Sequence, residues 1–159
     1  MIRSYEPADQ EQVERCIVDL QDFERALEPD RVEGASIAHR YLLELLDTCR
    51  KQSGQLFVAE VEGQLAGFVC VWLECEPESY LTSLANYAYI SDLVVLPTYR
   101  QRGLGSALLA QAEVFVKAQG ARALRINVLA RNKGAWALYS KAGFRDYEIR
   151  LLKDLGQQL

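Results

Sequence analysis

This sequence of 159 residues has few of the residues that build metal centres and disulfide frameworks. It has one histidine, His39, and its four cysteines form no C-x-x-C pair: Cys16, Cys49, Cys70 and Cys75. A zinc site needs several such ligands at close spacing, so we expect no metal. We interpret the four thiols as reduced and mostly buried, which is usual in a cytoplasmic protein.

The chain also lacks the segments that direct proteins to membranes or nucleic acids. No apolar run approaches the ~20 residues of a membrane span, and residues 1–5 lack the apolar core of a signal peptide. The formal net charge is −4, and the sequence has no basic tract. We therefore expect a cytoplasmic protein that binds neither membranes nor nucleic acids.

Length and composition predict one globular domain over residues 1–159. Half of the residues are apolar and a quarter are charged, which is ordinary for a folded chain. A chain of this length can bury roughly 70% of the surface that its unfolded form exposes. No linker-like composition divides the sequence.

Hydrophobic periodicity predicts a series of helices and strands. Helices are expected from Pro7 to about residue 23, after Ser36 as N-cap to residue 49, over 104–116 and over 133–142. Gly120 and Gly143 are their expected C-terminal caps, and polar segments are expected at 24–35 and 74–85. Strands are expected over 2–5, 56–61, 65–73, 86–96, 123–128 and 144–152.

The order of these elements predicts a mixed sheet. Glu62-Gly63 joins two strands as an antiparallel hairpin. The unit of strand 90–96, helix 104–116 and strand 123–128 is a right-handed β-α-β crossover, so its two strands should be parallel.

A glycine-rich loop between strand and helix is the most informative segment of the chain. It reads R-Q-R-G-L-G-S over residues 100–106. Glycines let a backbone approach a ligand closely, and amide groups at a helix N-terminus bind anions. The loop therefore predicts a phosphorylated ligand.

Two common phosphate-binding motifs fit this loop poorly. A P-loop needs Gly-Lys-Ser/Thr, but Gly105 is followed by Ser106 and Ala107. A dinucleotide fingerprint needs a small residue three positions after Gly105, where the sequence has Leu108.

A third motif fits well. Arg100-x-x-Gly103-x-Gly105 resembles the Q/R-x-x-G-x-G/A pyrophosphate loop of the GNAT superfamily of acetyl-CoA-dependent N-acetyltransferases. The segment from Asn132 to Phe144 resembles that family's N-x-x-A-x-x-L-Y-x-K-x-G-F pattern. The resemblance covers nearly the whole chain, although the first ~85 residues match only in pattern.

The resemblance implies an α/β GNAT acyl-CoA N-acyltransferase fold. In that fold a mixed, mostly antiparallel sheet carries a splayed parallel pair of strands and is flanked by helices. The slot between the splayed strands would take the pantetheine arm of acetyl-CoA. A backbone N–H there, often at a β-bulge, can hold the thioester oxygen.

The resemblance also implies a set of coenzyme-binding residues. Backbone amides of the loop would bind the pyrophosphate, with Arg100 and Arg102 adding charge, and Asn127, Asn132 and Ala135 would line the coenzyme further along. Asn132 is equally a good helix N-cap, and the two uses can coexist. The implied set is Leu93, Val94, Val95, Arg100, Gln101, Arg102, Gly103, Leu104, Gly105, Ser106, Asn127, Asn132, Ala135 and Tyr139.

Tyr139 is the candidate acid, since the family places this tyrosine next to the coenzyme sulfur. A phenol can donate a hydrogen bond or a proton as the thiolate departs; the alternative is a core aromatic residue. The family has no fixed base for the acceptor amine. Candidates near the acceptor are Asp92, which we place first, Glu74 and Tyr89.

The function implied is transfer of an acetyl group from acetyl-CoA to a primary amine, by direct attack in a ternary complex. A catalytically silent acyl-CoA sensor or interaction module on the same fold is an alternative, as is a nucleotide-binding domain unrelated to acyl transfer. The acceptor, whether a small molecule or a protein amine, stays open. GNAT proteins often form homodimers, so a homodimer is possible.

Overall fold

The structure is a computed structural model that describes residues 1–76 and 86–156. Its elements include two consecutive helices, followed by three consecutive strands, and then a strand between the last two helices. In chain order they are β1 (Ile2–Ser4), α1 (Gln10–Leu27), α2 (Ala38–Lys51), β2 (Gln55–Val61), β3 (Gln64–Cys75), β4 (Asn86–Val95), α3 (Leu104–Ala118), β5 (Ala123–Ile126) and α4 (Lys133–Lys141).

The strands form one mixed sheet in the order β1-β2-β3-β4-β5. Every neighbouring pair is antiparallel except β4 and β5, which are parallel. The turn between β2 and β3 has positive φ at Glu62 (51°) and Gly63 (76°), the conformation that matches the twist of a tight hairpin.

The parallel pair separates part-way along β4. Its ladder joins Tyr87–Ile90 to Ala123–Ile126, whereas β4 continues to Val95. The last five residues of β4 therefore have no β5 partner in the described sheet. This confirms the predicted fold class, including the splayed strands.

Helices cover both faces of the sheet. One core lies between the sheet and α1 with α2, around Phe68, Leu42 and Ile17. The other lies between the sheet and α3 with α4, around Ile90 and Leu108. The central strand β3 is buried on both faces over residues 65–72, which explains its continuous apolar run.

Three sequence predictions are wrong. Helix α1 continues to Leu27, beyond the predicted end, because residues 24–27 are Glu, Arg, Ala and Leu, all strong helix formers, and the next proline along the chain is Pro29. Ser36 is not the N-cap of α2: it closes a short 3-10 turn, its hydroxyl donates to the carbonyl of Glu33, and the helix begins after Ile37.

The third error concerns the last strand. Residues 144–152 form no strand, because the segment has no ladder partner among the described residues. Of the polar segment predicted at 74–85, residues 77–85 lie outside the described part of the chain. Cys16, Cys49 and Cys70 are buried free thiols, while Cys75 is exposed.

Candidate active site

The N-terminus of α3 presents unpaired amide groups. Gly103 is the N-cap, with φ +80°, and supplies no capping side chain. The first-turn amides of residues 104–106 therefore have no intrahelical partner. A Cβ added at Gly103 would meet no described atom within 4 Å, so the loop is open on that side. An open cluster of helix N-terminal amides is suited to an anionic group.

Gly105 serves a different purpose from Gly103. A Cβ at Gly105 would lie 3.0 Å from the Cδ2 of Leu138 in α4. The absence of a side chain lets α3 pack closely on α4, which brings the two motif segments together. Gly103 is thus required for its backbone conformation, and Gly105 for packing.

The two arginines of the loop are placed differently. The Nε of Arg100 donates to the carbonyl of Val95 at 2.8 Å, and its Nη2 lies 3.4 Å from Asp19 of α1. Its guanidinium also lies over the ring of Phe23. Arg102 stacks on Tyr99 and forms no ion pair with the described residues. Arg100 fastens the loop to α1 and β4, and Arg102 is the arginine available to a bound anion.

Strand β4 is irregular where it leaves β5. Asp92 pairs with Cys70 and Ile90 pairs with Val71, so Ser91 is an extra residue in a β-bulge. The amide of Leu96 donates to Ala66 of the β3 side. Because pairing alternates along an antiparallel ladder, the backbone groups of Leu93 and Val95 face the open slot. Val94 between them is buried against α1 and α2.

Asp92 is a buried carboxylate at the base of this slot. It is 6% exposed, and the hydroxyl of Tyr41 in α2 donates to both of its oxygens at 3.0 and 3.1 Å. Burial raises the pKa of Asp92 to about 6, an effect that hydrogen bonds from Ser91 and Tyr41 oppose and the charge of Glu24 increases. Burial and Asp92 together raise the pKa of Tyr41, so its hydroxyl remains a donor.

Tyr139 lies across the slot on α4. The residue is buried, with its ring centroid 5.8 Å from that of Phe144. Burial raises the pKa of Tyr139, and the charges of Asp92 and Glu24 raise it further. No side-chain hydrogen bond joins its hydroxyl to another described residue. The structure thus places the protonated phenol of Tyr139 close enough to Asp92, the predicted base, for the charge of Asp92 to raise the pKa of Tyr139.

Glu74 lies apart from this pair. It is four residues beyond the Asp92 partner Cys70 on β3, about 13 Å along the strand. Its carboxylate accepts from the Nε1 of Trp72 at 2.9 Å and from the hydroxyl of Tyr87 at 2.7 Å. Glu74 also lines a cavity of about 320 Å³ at the C-terminal end of α3, the opposite end from the glycine loop.

Tyr89 and Asn127 form a pair near the end of the β4–β5 ladder. The side-chain amide of Asn127 donates to the hydroxyl of Tyr89 at 3.2 Å. Burial, followed by the charges of Asp92 and Glu74, raises the pKa of Tyr89. The pair therefore lies close enough to Asp92 for its charge to act on Tyr89, near the point where β4 and β5 stop pairing.

Asn132 and Ala135 begin α4. The Oδ1 of Asn132 accepts from the amide of Ala135 at 3.1 Å, so Asn132 is the helix N-cap. Ala135 packs against the α3-side core. The side-chain amide nitrogen of Asn132 makes no hydrogen bond to another described residue and stays available to a ligand.

Sequence reasoning missed the role of Tyr41, and it named Glu24 only as one member of an acidic cluster, at the edge of the acceptor groove or in a solvated loop. The pattern identified Tyr41 only as an apolar position of α2, since nothing local indicates its partner 51 residues away. Glu24 belongs to an acidic cluster whose members are mostly paired: Asp22 accepts from the amide of Gly34, Glu24 pairs with Arg31, Glu33 with Arg25 and Glu28 with Arg131.

A protein-family comparison agrees with this geometry. The model described as the Acetyltransferase (GNAT) family matches residues 20–144. The chain belongs to the GNAT acetyltransferase family. The match spans α1 to the end of α4, and so includes both motif segments and the slot between β4 and β5.

Curated relatives in this family are acetyltransferases. The chain is 33% identical over 107 residues to an N-alpha-acetyltransferase of Sulfolobus acidocaldarius, covering 65% of this chain and 62% of the relative. It is 31% identical over 127 residues to an L-2,4-diaminobutyric acid acetyltransferase of Nocardia farcinica, covering 80% and 60%. The chain spans 43–62% of the length of the first curated relatives.

A solved structure shares the fold along the whole chain. It is AAC(6')-Iy in complex with the bisubstrate analogue CoA-S-monomethyl-acetylneamine, with a TM-score of 0.70 and 18% identity over 97% of this chain and 96% of that one. Over residues 1–76 and 86–156, no helix is long and apolar enough to cross a bilayer. The same residues include no group of three His, Cys, Asp or Glu side chains placed to hold a metal ion.

Proposed function

We propose that this GNAT protein transfers an acetyl group from acetyl-CoA to a primary amine, by direct attack in a ternary complex. The observation that carries the proposal is the placement of two buried groups, Asp92 on β4 and Tyr139 on α4, at the splayed slot beside an open helix N-terminus. A nucleotide-binding domain needs the helix N-terminus but has no use for a buried carboxylate and phenol at the end of a split sheet.

The residues present fit acetyl-CoA as co-substrate. The amides of residues 104–106 would bind its pyrophosphate at the open side of Gly103, with Arg102 adding charge. The backbone of Leu93 and Val95 would pair with its pantetheine arm, as an added strand pairs with a sheet edge. Bound there, acetyl-CoA supplies an activated thioester. The Asn132 amide and the space above Ala135 would serve the adenosine end.

Asp92 would take a proton from the attacking amine, directly or through one water. An amine with a pKa near 10.4 is neutral in only about one molecule in a thousand at pH 7, so a base is needed. With a pKa of about 6, Asp92 is mostly ionised at neutral pH and well matched to that task. Glu74 fits less well, because it lies about 13 Å along β3 from the residue that pairs with Asp92, toward the end of α3 that is opposite the glycine loop.

Tyr139 would hold its proton at Oη for the departing sulfur. Its pKa is raised above that of an ordinary phenol, and a thiol has a pKa of about 8.5. Full proton transfer to the thiolate is therefore uphill, whereas a hydrogen bond to it is favourable. We assign Tyr139 the role of a hydrogen-bond donor rather than a complete acid.

The acceptor amine would be protonated, and therefore positively charged, before it reacts. Asp92 and the half-buried Glu24 add negative charge on the side of the slot framed by α1 and α2, which suits an ammonium group. The relatives named above act, by their names, on an alpha-amino group and on L-2,4-diaminobutyric acid. Both are primary amines, and the geometry does not choose between them.

Two measurements test this proposal. Acetyl-CoA should raise the melting temperature of the protein more than ATP or NAD at equal concentration. Thiol release from acetyl-CoA, measured across peptides, diamino acids, polyamines and aminoglycosides, should depend on at least one amine. Preference for ATP or NAD would overturn the assignment, and coenzyme binding without turnover on any amine would favour the silent sensor.

A further inference from the structure

Two cysteines lie side by side where α2 packs on the central strand. The Sγ atoms of Cys49 and Cys70 are 3.4 Å apart, and both are free thiols. Cys49 is in the last turn of α2, and Cys70 is on β3. A disulfide needs a sulfur–sulfur distance of about 2.05 Å, so the two atoms would have to approach by about 1.4 Å. The pair is therefore placed to form a disulfide.

Backbone contacts hold the end of α2 against β3 at this point. The amide of Gly54 donates to the carbonyl of Cys49 at 2.7 Å, and the amide of Leu73 donates to the carbonyl of Gln52 at 3.0 Å. A Cβ at Gly54 would lie 2.6 Å from the carbonyl oxygen of Val71. The absence of that side chain lets the helix end approach the strand, and the approach brings the two thiols together.

The two thiols differ in reactivity. Cys49 is 8% exposed, whereas Cys70 has no exposed surface. The hydrogen bond with Cys70 lowers the pKa of Cys49, and the same contact, together with burial, raises the pKa of Cys70. Oxidation of cysteine follows thiolate character and exposure. Cys49 is therefore the thiol that a small oxidant would reach first.

We propose that Cys49 and Cys70 are a redox-active pair that hydrogen peroxide converts to a disulfide, which ties α2 to β3. The Cys49 thiolate attacks one peroxide oxygen and becomes a sulfenic acid, while the other oxygen leaves as hydroxide and takes up the thiol proton as water. The Cys70 sulfur then attacks the Cys49 sulfur, and the sulfenic hydroxyl leaves with the Cys70 proton as a second water. The two thiols lose two electrons in total, and these reduce one peroxide molecule.

The other two cysteines serve as internal controls. Burial raises the pKa of Cys16 to about 12, which makes this thiol a poor nucleophile. Cys75 is exposed and contacts the carbonyl of Glu76. Over residues 1–76 and 86–156, neither cysteine forms a hydrogen bond to a second thiol. A disulfide that reflects the geometry of the fold should therefore join Cys49 to Cys70 and leave Cys16 reduced.

The disulfide would also change the candidate active site. Cys70 is the ladder partner of Asp92, and Tyr41, which donates to Asp92, lies two turns before Cys49 on the same helix. Drawing the sulfur atoms together would shift α2 relative to β3 and disturb the hydrogen bonds from Tyr41 to Asp92. This step rests on the proposed function, whereas formation of the disulfide does not. We expect kcat/KM to fall roughly tenfold, as for the loss of one hydrogen bond to a charged group.

Peroxide oxidation of the whole chain, followed by peptide mass mapping, tests the pair. In a C75S background the oxidised protein should lose two thiols and carry a Cys49–Cys70 crosslink that dithiothreitol reverses. With C70S added, dimedone should trap a sulfenic acid on Cys49. With C49S added, Cys70 should stay unmodified, and circular dichroism checks that each variant is folded. A pair that stays reduced while glutathione in the same solution is fully oxidised would overturn the proposal, as would a crosslink to Cys16.

Activity before and after oxidation tests the effect on the site. In the C75S background, kcat/KM should fall roughly tenfold on crosslinking and recover with dithiothreitol. The matched control is C49S/C75S, whose kcat/KM should be the same before and after peroxide. An unchanged kcat/KM in fully crosslinked protein would overturn the link between the disulfide and the site. Failure of the proposed function would instead appear as no turnover in the reduced protein, with the crosslink still decided by mass.

Discussion

Burial raises the pKa of Asp92 in the candidate site, and hydrogen bonds from Ser91 and Tyr41 oppose that rise. A buried carboxylate is poorly solvated, so its pKa is raised, and donors to its charged form oppose that rise. Tyr41 donates to both oxygens, and the pKa of Asp92 is about 6. Without Tyr41 the carboxylate would hold its proton to higher pH.

Replacing Tyr41 should therefore shift the pH dependence of the reaction. Wild-type kcat/KM should rise with pH through about 6, as Asp92 loses its proton. Y41F should move this rising limb of the pH profile to higher pH. D92N should remove the limb and lower kcat/KM at every pH. The matched control is Y87F, which removes the tyrosine–carboxylate contact to Glu74 and should leave the limb in place. A limb that moves with Y87F and not with Y41F would identify Glu74 as the base.

Tyr139→Phe tests the donor to the departing sulfur. The ring is retained and its packing on Phe144 should survive. A hydrogen bond to a charged group contributes about 1.5–3 kcal/mol, so kcat should fall roughly 10- to 100-fold. Affinity for acetyl-CoA, measured by calorimetry, should change little. If Y139F keeps more than about a third of the wild-type kcat with chemistry rate-limiting, Tyr139 is only a packing residue.

Residues of the site differ in how far sequence alone could identify them. Tyr139 and the loop from Arg100 to Ser106 stand inside recognisable motifs. Asp92 could be named as a candidate because it lies on the strand that leads into the loop. Tyr41 could not, because its role depends on how α2 packs over β4, and no local pattern encodes that contact.

At the scale of elements, the N-terminus of α3 depends on the left-handed conformation of Gly103. A residue with a Cβ pays about 1–2 kcal/mol for that conformation. The φ of +80° opens the first helical turn toward the ligand side. The glycine therefore affects both the stability of the loop and the amides it exposes.

G103A should weaken coenzyme binding by roughly tenfold, since the strained loop would leave the geometry that binds an anion. The matched control is G134A in α4. A Cβ at Gly134 would meet no described atom closer than 4.0 Å, and its φ is not positive, so this variant should bind acetyl-CoA like the wild type. Calorimetric titration of both proteins provides the comparison. Equal affinities would show that the loop conformation is not needed.

Close contact between β3 and β4 depends on Gly67. A Cβ at this position would lie 2.1 Å from the carbonyl oxygen of Val94. G67A should therefore destabilise the fold by about 1–3 kcal/mol or more, which lowers Tm by roughly 2–4 °C per kcal/mol in a chain of this size. Thermal unfolding by circular dichroism measures the change. An unchanged Tm would mean that β3 and β4 can move apart at Gly67 without any loss of stability.

Elements were predictable where their pattern was strong. The hairpin at Glu62-Gly63 and the crossover around α3 follow from local turn and helix signals. The strand expected over residues 144–152 was not formed, although its alternation is clear. Alternation shows which face of a strand is apolar, but a strand also needs backbone pairing, and this segment forms no backbone hydrogen bond from residue 145 onward within the described chain.

At the scale of the whole molecule, the two cores meet at β3 and leave the split between β4 and β5 as an opening in the sheet. Helices α1 and α2 bring Glu24 and Tyr41 to one side of this opening, where Asp92 of β4 lies. Helices α3 and α4 bring the amide cluster and Tyr139 to the other. Under the proposed function, the acetyl donor would bind beside an acidic site for the amine, and the transfer would need no covalent step on the protein.

Rapid mixing of the protein with radiolabelled acetyl-CoA, with and without an accepted amine, tests the proposed direct transfer most directly. Thiol release and acetylamine formation should appear together, in equal amounts and only when the amine is present. No label should remain on the protein after denaturation. Release of one equivalent of thiol without amine, with label retained on a cysteine such as Cys70 or Cys75, would contradict direct attack and indicate an acyl-enzyme.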